Sequence, residues 1–332
     1  MSCYHPIHAY KSKTVDPETG KSMIRFSTPV DMSRWEPVQL PCGGCVGCRL
    51  DYSRQWANRC MLELQYHDSA YFCTFTYDDD HVPRSFYPDP ETGEALPSLT
   101  LDKRDFQLLM KRIRRRFLDD KIRFFACGEY GGKTYRPHYH AILFGLHLND
   151  LVPYKTVREG GELYTYYNSP SLQSCWKDDD GKDIGYVVVG QVTWESCAYV
   201  ARYVMKKLKG KEADFYDAHG ILPEFTLMSR RPGLARQYYD DHPDVFDYNK
   251  INISTPKGGK SFKPPRYFEK LFEEDQPEKS AELREIRKRI AADAQRAKLA
   301  HTTLELDELL QVEENKQTNK AKKLRRLLDG TS

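Results

Sequence analysis

The chain has 332 residues, enough for one substantial domain with appendages or for two domains. Its net charge is only +3, so any basic surface must be local. No run of about 18 apolar residues is present to form a membrane span. The N-terminus (Met-Ser-Cys-Tyr-His-Pro) lacks the apolar core of a signal peptide, which points to a cytoplasmic chain with no membrane partner.

Residues 1 to about 40, broken by Pro6, Pro17, Gly20, Pro29 and Pro37, read as irregular. Cys42, Cys45 and Cys48 follow and run into a helix over roughly 49–67, with Leu50, Trp56, Cys60, Leu64 and His67 in near-helical spacing. The β-branched and aromatic run 71–77 predicts a strand, stopped by Asp78, Asp79 and Asp80, and 81–98 reads as a Pro-rich loop. Thr100 is a cap for a helix to about 118, whose apolar face is Phe106, Leu109, Met110, Ile113 and Phe117. Across 101–125 nine Lys/Arg stand against four Asp, so the other face of that helix is basic. Its Lys111, Arg112 and Arg115 are candidates to track phosphates, although a solvated helix face has the same composition.

Strands are expected over 122–127 and 138–144, joined by a hairpin-like connection. A long loop over 145–183 and a strand over 185–193 come next, and Thr193 or Ser196 caps a helix carrying Tyr199 and Tyr203. Beyond Gly210 the pattern is mixed. From about 278 to 328 the chain is rich in Ala, Glu, Lys, Leu and Arg and reads as a helical appendage ending in a basic patch. The order strand, helix, strand, strand, strand, helix predicts an α+β fold: an antiparallel central sheet with helices on one face. The expected segments are 1–67 with the cysteines and first helix, a core over 68–210, an extension over 211–277 and a charged helical tail over 278–332.

The residues with the most chemistry are His138 and His140. Two apart in a β-prone run, they share one face of a strand and can offer two imidazole nitrogens to one divalent ion. Glu129, at the end of the paired strand, is the expected third ligand, and such a set suits Mg²⁺ or Mn²⁺. Tyr199 and Tyr203, four apart on a helix, share a face with Lys206, a cation able to favour a phenolate. Either feature alone also fits ordinary packing. In that order along one chain they suggest phosphodiester cleavage through a tyrosine nucleophile. Cys42, Cys45 and Cys48 give three thiolates to one Zn²⁺, with Cys3, His5 or Cys60 as the fourth ligand and Cys3 preferred. An iron–sulfur cluster or plain buried thiols are the other readings.

At these residues the chain resembles the histidine-hydrophobe-histidine (HUH) replication initiators of rolling-circle replicons, and looks most like those of gokushovirus-type microviruses. The resemblance runs over roughly 1–210, through Cys-Tyr-His-Pro at 3–6, Pro-Cys-Gly-Gly-Cys-Val-Gly-Cys-Arg at 41–49 and Phe-Cys-Thr-Phe-Thr-Tyr at 72–77. Cys-Gly-Glu-Tyr-Gly at 127–131, Arg-Pro-His-Tyr-His at 136–140 and Tyr-Val-Ala-Arg-Tyr-Val-Met-Lys at 199–206 complete it. It implies an HUH/RRM-like core that nicks single-stranded origin DNA, stays on the 5′ phosphate and releases a 3′-OH primer. On that resemblance His138 and His140 hold the metal, Tyr199 and Tyr203 are nucleophiles and Lys206 assists. Family members differ in having one or two tyrosines, and Tyr139 stands where a smaller aliphatic is common. The implied setting is the cytoplasm of a bacterial host. No P-loop is present, so a helicase, like the polymerase, is expected from the host. The competing readings are a plasmid relaxase or transposase of the same class, and a non-catalytic, zinc-stabilised single-strand-binding protein.

Overall fold

The computed structural model describes residues 3–18, 22–132, 134–159, 162–202, 207–208, 210–255 and 258–322. The chain divides into two compact units, one from Met1–Asp51 with Pro277–Arg325 and one built on Tyr52–Gln276.

The N-terminal forty residues, expected to be irregular, instead form a three-stranded antiparallel sheet of β1 (Ile7–Val15), β2 (Ser22–Arg25) and β3 (Trp35–Leu40), in the order β2-β1-β3. Pro37 misled the reading because it sits on an edge strand, where its missing N–H costs the ladder little. Helix α1 (Val46–Leu64) begins among the cysteines.

The larger unit is organised by a seven-stranded antiparallel sheet. Its first strand is β4 (Ala70–Tyr77). The Pro-rich stretch after it is not a loop but a two-stranded hairpin, β5 (Arg84–Pro88) with β6 (Ala95–Leu99). Helix α2 (Lys103–Arg116) is capped by Asp102, whose carboxylate accepts from the Arg104 N–H, and not by Thr100. Strands β7 (Arg123–Tyr130) and β8 (Pro137–Phe144) form the central hairpin. The expected long loop after it contains a second hairpin, β9 (Val152–Glu159) with β10 (Glu162–Asn168), and the short helix α3 (Pro170–Gln173). Strand β11 (Gly185–Gln191) and helix α4 (Trp194–Arg202) follow. Then come α5 (Asp214–Ala218), β12 (Phe225–Met228) and α6 (Arg236–Asp241), the hairpin of β13 (Ile251–Thr255) and β14 (Gly258–Phe262), and α7 (Arg266–Asp275). The sheet order is β12-β7-β8-β4-β11-β10-β9. The α+β class with an antiparallel central sheet therefore holds, and β9, β10 and β12 widen the sheet beyond the strands legible in the sequence.

One face of the sheet is the core. Cys73, Phe75 and Tyr77 of β4, Tyr139, Ala141 and Leu143 of β8, and Val187 and Val189 of β11 pack on Phe106, Leu109, Met110 and Ile113 of α2 and on Trp176 after α3. Each fully buried side chain of this size contributes roughly 1.5–3 kcal/mol. Tyr139 is buried completely, and its hydroxyl donates to the Asp102 carbonyl (2.6 Å) and accepts from the Asp102 N–H (3.0 Å). It thereby anchors β8 to the start of α2. The opposite face carries α1 and α4: Trp56 of α1 stacks on Phe125 at 4.7 Å, and Ser53 donates to the Ala198 carbonyl (3.3 Å) of α4.

The C-terminal helices α8 (Pro277–Ala300) and α9 (Leu306–Lys322) belong to the smaller unit. Lys298 and Glu313 join them (2.6 Å), and Lys288–Glu36 (2.8 Å) and His5–Glu314 (2.6 Å) tie them to the N-terminal sheet. No helix among the described residues is long and apolar enough to cross a membrane.

Candidate active site

Strand periodicity and register build the site. In the β7–β8 hairpin Glu129 lies directly across from His138, and Cys127 across from His140. On the other side of β8, His138 pairs with Thr76 and His140 with Thr74. Paired residues project to the same face, so Glu129, His138, Thr76 and Tyr186 form one row across four strands, and Cys127, His140, Thr74 and Val188 the next. The odd-numbered neighbour Tyr139 points the other way, into the core. A one-residue slip would exchange the two sets, so the burial of Tyr139 enforces the presentation of the histidines.

The ligand atoms of Glu129, His138 and His140 all lie within 4.8 Å of one another. Glu129 Oε1 is 2.6 Å from His138 Nε2 and 3.1 Å from His140 Nε2. Burial would raise the Glu129 carboxyl, but hydrogen bonds from the two histidines outweigh it and hold it down to about 2. The outer ring nitrogens are also engaged: His138 Nδ1 lies 3.1 Å from the Arg136 carbonyl, and His140 Nδ1 2.9 Å from Thr74 Oγ1. A neutral His138 has one N–H to offer, yet its two nitrogens face a carbonyl and a carboxylate, both acceptors. A divalent cation resolves that conflict: Nδ1–H donates to Arg136, and the Nε2 lone pair binds metal beside the Glu129 oxygen. By this test of its donors the triad fits a metal ion. Phe72 stacks on the His140 ring (5.4 Å between centroids, 18° between planes) and closes the site on its β4 side.

Helix α4 brings Tyr199 to this place. The helix opens with a reciprocal cap, in which Ser196 Oγ accepts from the Thr193 N–H (2.8 Å) and Thr193 Oγ1 from the Ser196 N–H (3.1 Å), so both expected capping residues contribute. Cys197, Val200 and Ala201 are fully buried. Tyr199 is half-buried, with its ring edge-on to His140 at 5.3 Å between centroids and to Phe72 at 6.0 Å. Tyr203 and Lys206 lie outside the described residues.

The basic helix does not join this constellation. Helix α2 packs on the opposite face of the sheet, where Arg112 donates to the Lys177 and Asp178 carbonyls and pairs with Asp179. Lys111 and Arg115 are exposed on that same helix. Three contributors went unrecognised in the sequence. The first two, Thr74 and Phe72, are ordinary strand residues until the β4–β8 register is known. The third is Tyr166, whose ring lies over Gly190 on the site face of the sheet, where a Cβ would come within 3.3 Å of it. Tyr164 and Tyr166 line a depression with Phe72, Gly190, Gln191 and Thr193.

The second cluster, Cys3, Cys42, Cys45 and Cys48, also has its four sulfurs within 4.8 Å of one another. Of the three candidates for the fourth position, Cys3 is the residue that joins the group.

Residues 70–208, which contain the histidines, Glu129 and Tyr199, match the family model of the replication-associated protein ORF2. The replication-associated protein ORF2 of Spiroplasma virus 4 is 30% identical over 286 residues, covering 83% of this chain and 81% of that protein. The chain belongs to this family of replication-associated proteins. The replication-associated protein VP4 of Bdellovibrio phage phiMH2K is 28% identical, over 84% of this chain and 79% of its own length. For the replication-associated protein ORF4 of Chlamydia phage 1 the figures are 30%, 80% and 64%. No solved structure matches. These relatives are microvirus proteins, and the chain is accordingly a replication-associated protein of the rolling-circle initiator kind.

Proposed function

We propose that the protein nicks single-stranded origin DNA by metal-dependent transesterification onto a tyrosine, and later rejoins the ends. The observation that carries this reading is the convergence of Glu129, His138 and His140 on one point, with the Tyr199 ring edge-on to one of them. A divalent ion held there, Mg²⁺ or Mn²⁺, would draw charge from a non-bridging phosphate oxygen and orient the scissile phosphate. The Tyr199 hydroxyl then forms the new O–P bond as the bond from phosphorus to the 3′ oxygen breaks. The phenol proton passes to solvent, the 3′ oxygen takes one and leaves as the primer hydroxyl, and the 5′ phosphate stays on tyrosine. Attack of a 3′-OH on that phosphotyrosine runs the same exchange backwards and reseals the strand.

Thr74, the Arg136 carbonyl and Phe72 hold the two imidazoles in place, so little reorganisation accompanies metal or phosphate binding. Tyr186 is 68% exposed in the same cross-strand row as His138, two strand spacings or about 10 Å away. With Tyr166 it supports a stacking surface for unpaired bases beside the scissile phosphate. The resemblance assigns Tyr203 to the second transfer and Lys206 to charge neutralisation, and unwinding and synthesis to host helicase and polymerase.

The test is cleavage of a labelled single-stranded oligonucleotide carrying the replicon's own origin. Nicking should require Mn²⁺ or Mg²⁺ and fall at least ~100-fold, near background, in His138→Ala and Glu129→Gln, whose DNA binding in EDTA should persist. Metal-independent nicking would overturn the reading.

A further inference from the structure

The cysteine cluster plays no part in this chemistry, and it has a purpose of its own. We propose that Cys3, Cys42, Cys45 and Cys48 bind a single structural Zn²⁺ that holds the smaller unit together.

The geometry selects one small ion. A tetrahedron with Zn–S bonds of about 2.3 Å has sulfur–sulfur edges of about 3.8 Å, and the four Sγ atoms lie within 4.8 Å of one another. An iron–sulfur cube spreads its thiolates further apart. None of the nine cysteines is in a disulfide.

The backbone is arranged for thiolates. The Cys42 N–H donates to Cys3 Sγ (3.2 Å), Cys45 N–H to Cys42 Sγ (3.3 Å), and Cys48 N–H (3.4 Å) and Tyr4 N–H (3.4 Å) to Cys45 Sγ. Successive amide donors of this kind spread the negative charge that four thiolates would concentrate. Gly43, at φ 69°, supplies the left-handed turn that wraps the Cys42–Cys45 segment around the cluster.

The need for a clip is visible in what surrounds it. In the smaller unit the buried apolar side chains among the described residues are Cys3, Ala9, Cys45 and Leu50, so two of the four are ligands themselves. Ile7, Val15, Met23 and Ile24 of its sheet are exposed. A unit with so little core requires another source of stability, and metal binding supplies folding energy directly. The four ligands stand at the strategic points: Cys3 ahead of β1, Cys42 after β3, and Cys45 and Cys48 at the start of α1. One ion therefore closes a loop of about forty residues and fixes where the helix leaves the sheet.

The experiment is elemental analysis of the purified full-length chain, with Co²⁺ substitution read by visible absorption and hydrogen exchange read by segment. We expect about one zinc per chain and the intense d–d bands of a tetrathiolate cobalt site. Cys45→Ser and Cys48→Ser should lose the zinc and the amide protection of 3–51, while protection across 70–144 persists. Should those variants fail to fold, release of zinc from the wild-type chain by chelator, followed by the same exchange measurement, gives the answer. The His138→Ala/His140→Ala double variant should keep its full zinc complement, which separates this site from the nicking site. Iron with inorganic sulfide, zinc lost with the histidines, or a metal-free wild-type chain with unchanged protection of 3–51 would each overturn the proposal.

Discussion

His138 and His140 are useful because each imidazole is held at its outer nitrogen. Removing such a partner leaves the ligand in place and loosens its aim. Thr74→Val, which keeps the shape and deletes the hydroxyl that bonds His140 Nδ1, should weaken Mn²⁺ binding roughly 10- to 100-fold with the melting temperature little changed. Calorimetric titration of metal and a thermal melt test both halves. Tyr139 gives the complementary case. Tyr139→Phe deletes the hydroxyl shared by Asp102 and Tyr77, leaving buried partners unsatisfied, and should cost about 1–3 kcal/mol in denaturant unfolding. Metal affinity should be unchanged, because the ring still fills the core and fixes the strand register. The residue types of the site were legible in the sequence: His-x-His in a β-prone run has one reading at period 2, and Glu129 sits where a hairpin can return it. Thr74 and Phe72 were not, because nothing in 72–77 tells which strand will lie beside it.

At the scale of elements, the site is held by contacts outside the sheet. Glu63, near the end of α1, is buried among His67 (3.0 Å), the Arg123 guanidinium at the start of β7 (2.5 Å) and the Ala235 N–H ahead of α6 (2.6 Å). Burial would raise its carboxyl, but the hydrogen bonds from His67 and Ala235 and the charge of Arg123 outweigh it and hold it below the usual carboxylate value of 4.5. A depressed carboxylate contributes stability that is fully present above its unfolded pKa and is lost as pH falls through the folded one. Glu63→Gln should therefore cost about 2–4 kcal/mol at pH 7, and the gap to wild type should close as pH falls below about 4. Urea unfolding at a series of pH values reads both the size and the sign. The elements missed in the sequence share a cause. Strands β3 and β9 are sheet edges, β5 and β6 form an isolated hairpin, and each carries proline. Edge and hairpin strands tolerate proline and expose much of their surface, so neither composition nor alternation marked them. Strands β4, β8 and β11, central to the sheet, carried strong patterns because both of their ladders are paired and one face is fully buried.

Across the whole molecule, the chain separates stability from chemistry. The larger unit has an extensive core on one face of its sheet and the metal-ligand triad on the other. The smaller unit has four sulfurs and ion pairs where a core would be. Both metal sites were visible as residue clusters in the sequence, because ligand spacing is local for three of the cysteines and for the two histidines. The distant ligand Cys3 needed the fold to bring β1 and β3 side by side. The basic stretch 101–125 was the clearest charge feature of the sequence, yet α2 carries it to the face away from the histidines. The likeness to microvirus replication-associated proteins covers both units, and the triad with Tyr199 lies inside the region that matches the family model.

The central claim is that Tyr199, beside a metal held by Glu129, His138 and His140, takes the phosphate. Its most direct test is peptide mapping of the protein–DNA adduct formed with the single-stranded origin and Mn²⁺. The account predicts a nucleotide mass on the peptide containing Tyr199, absent in EDTA and in His140→Ala. Tight DNA binding with no adduct under any metal, or an adduct mapped away from α4 and the residues just beyond it, would contradict it.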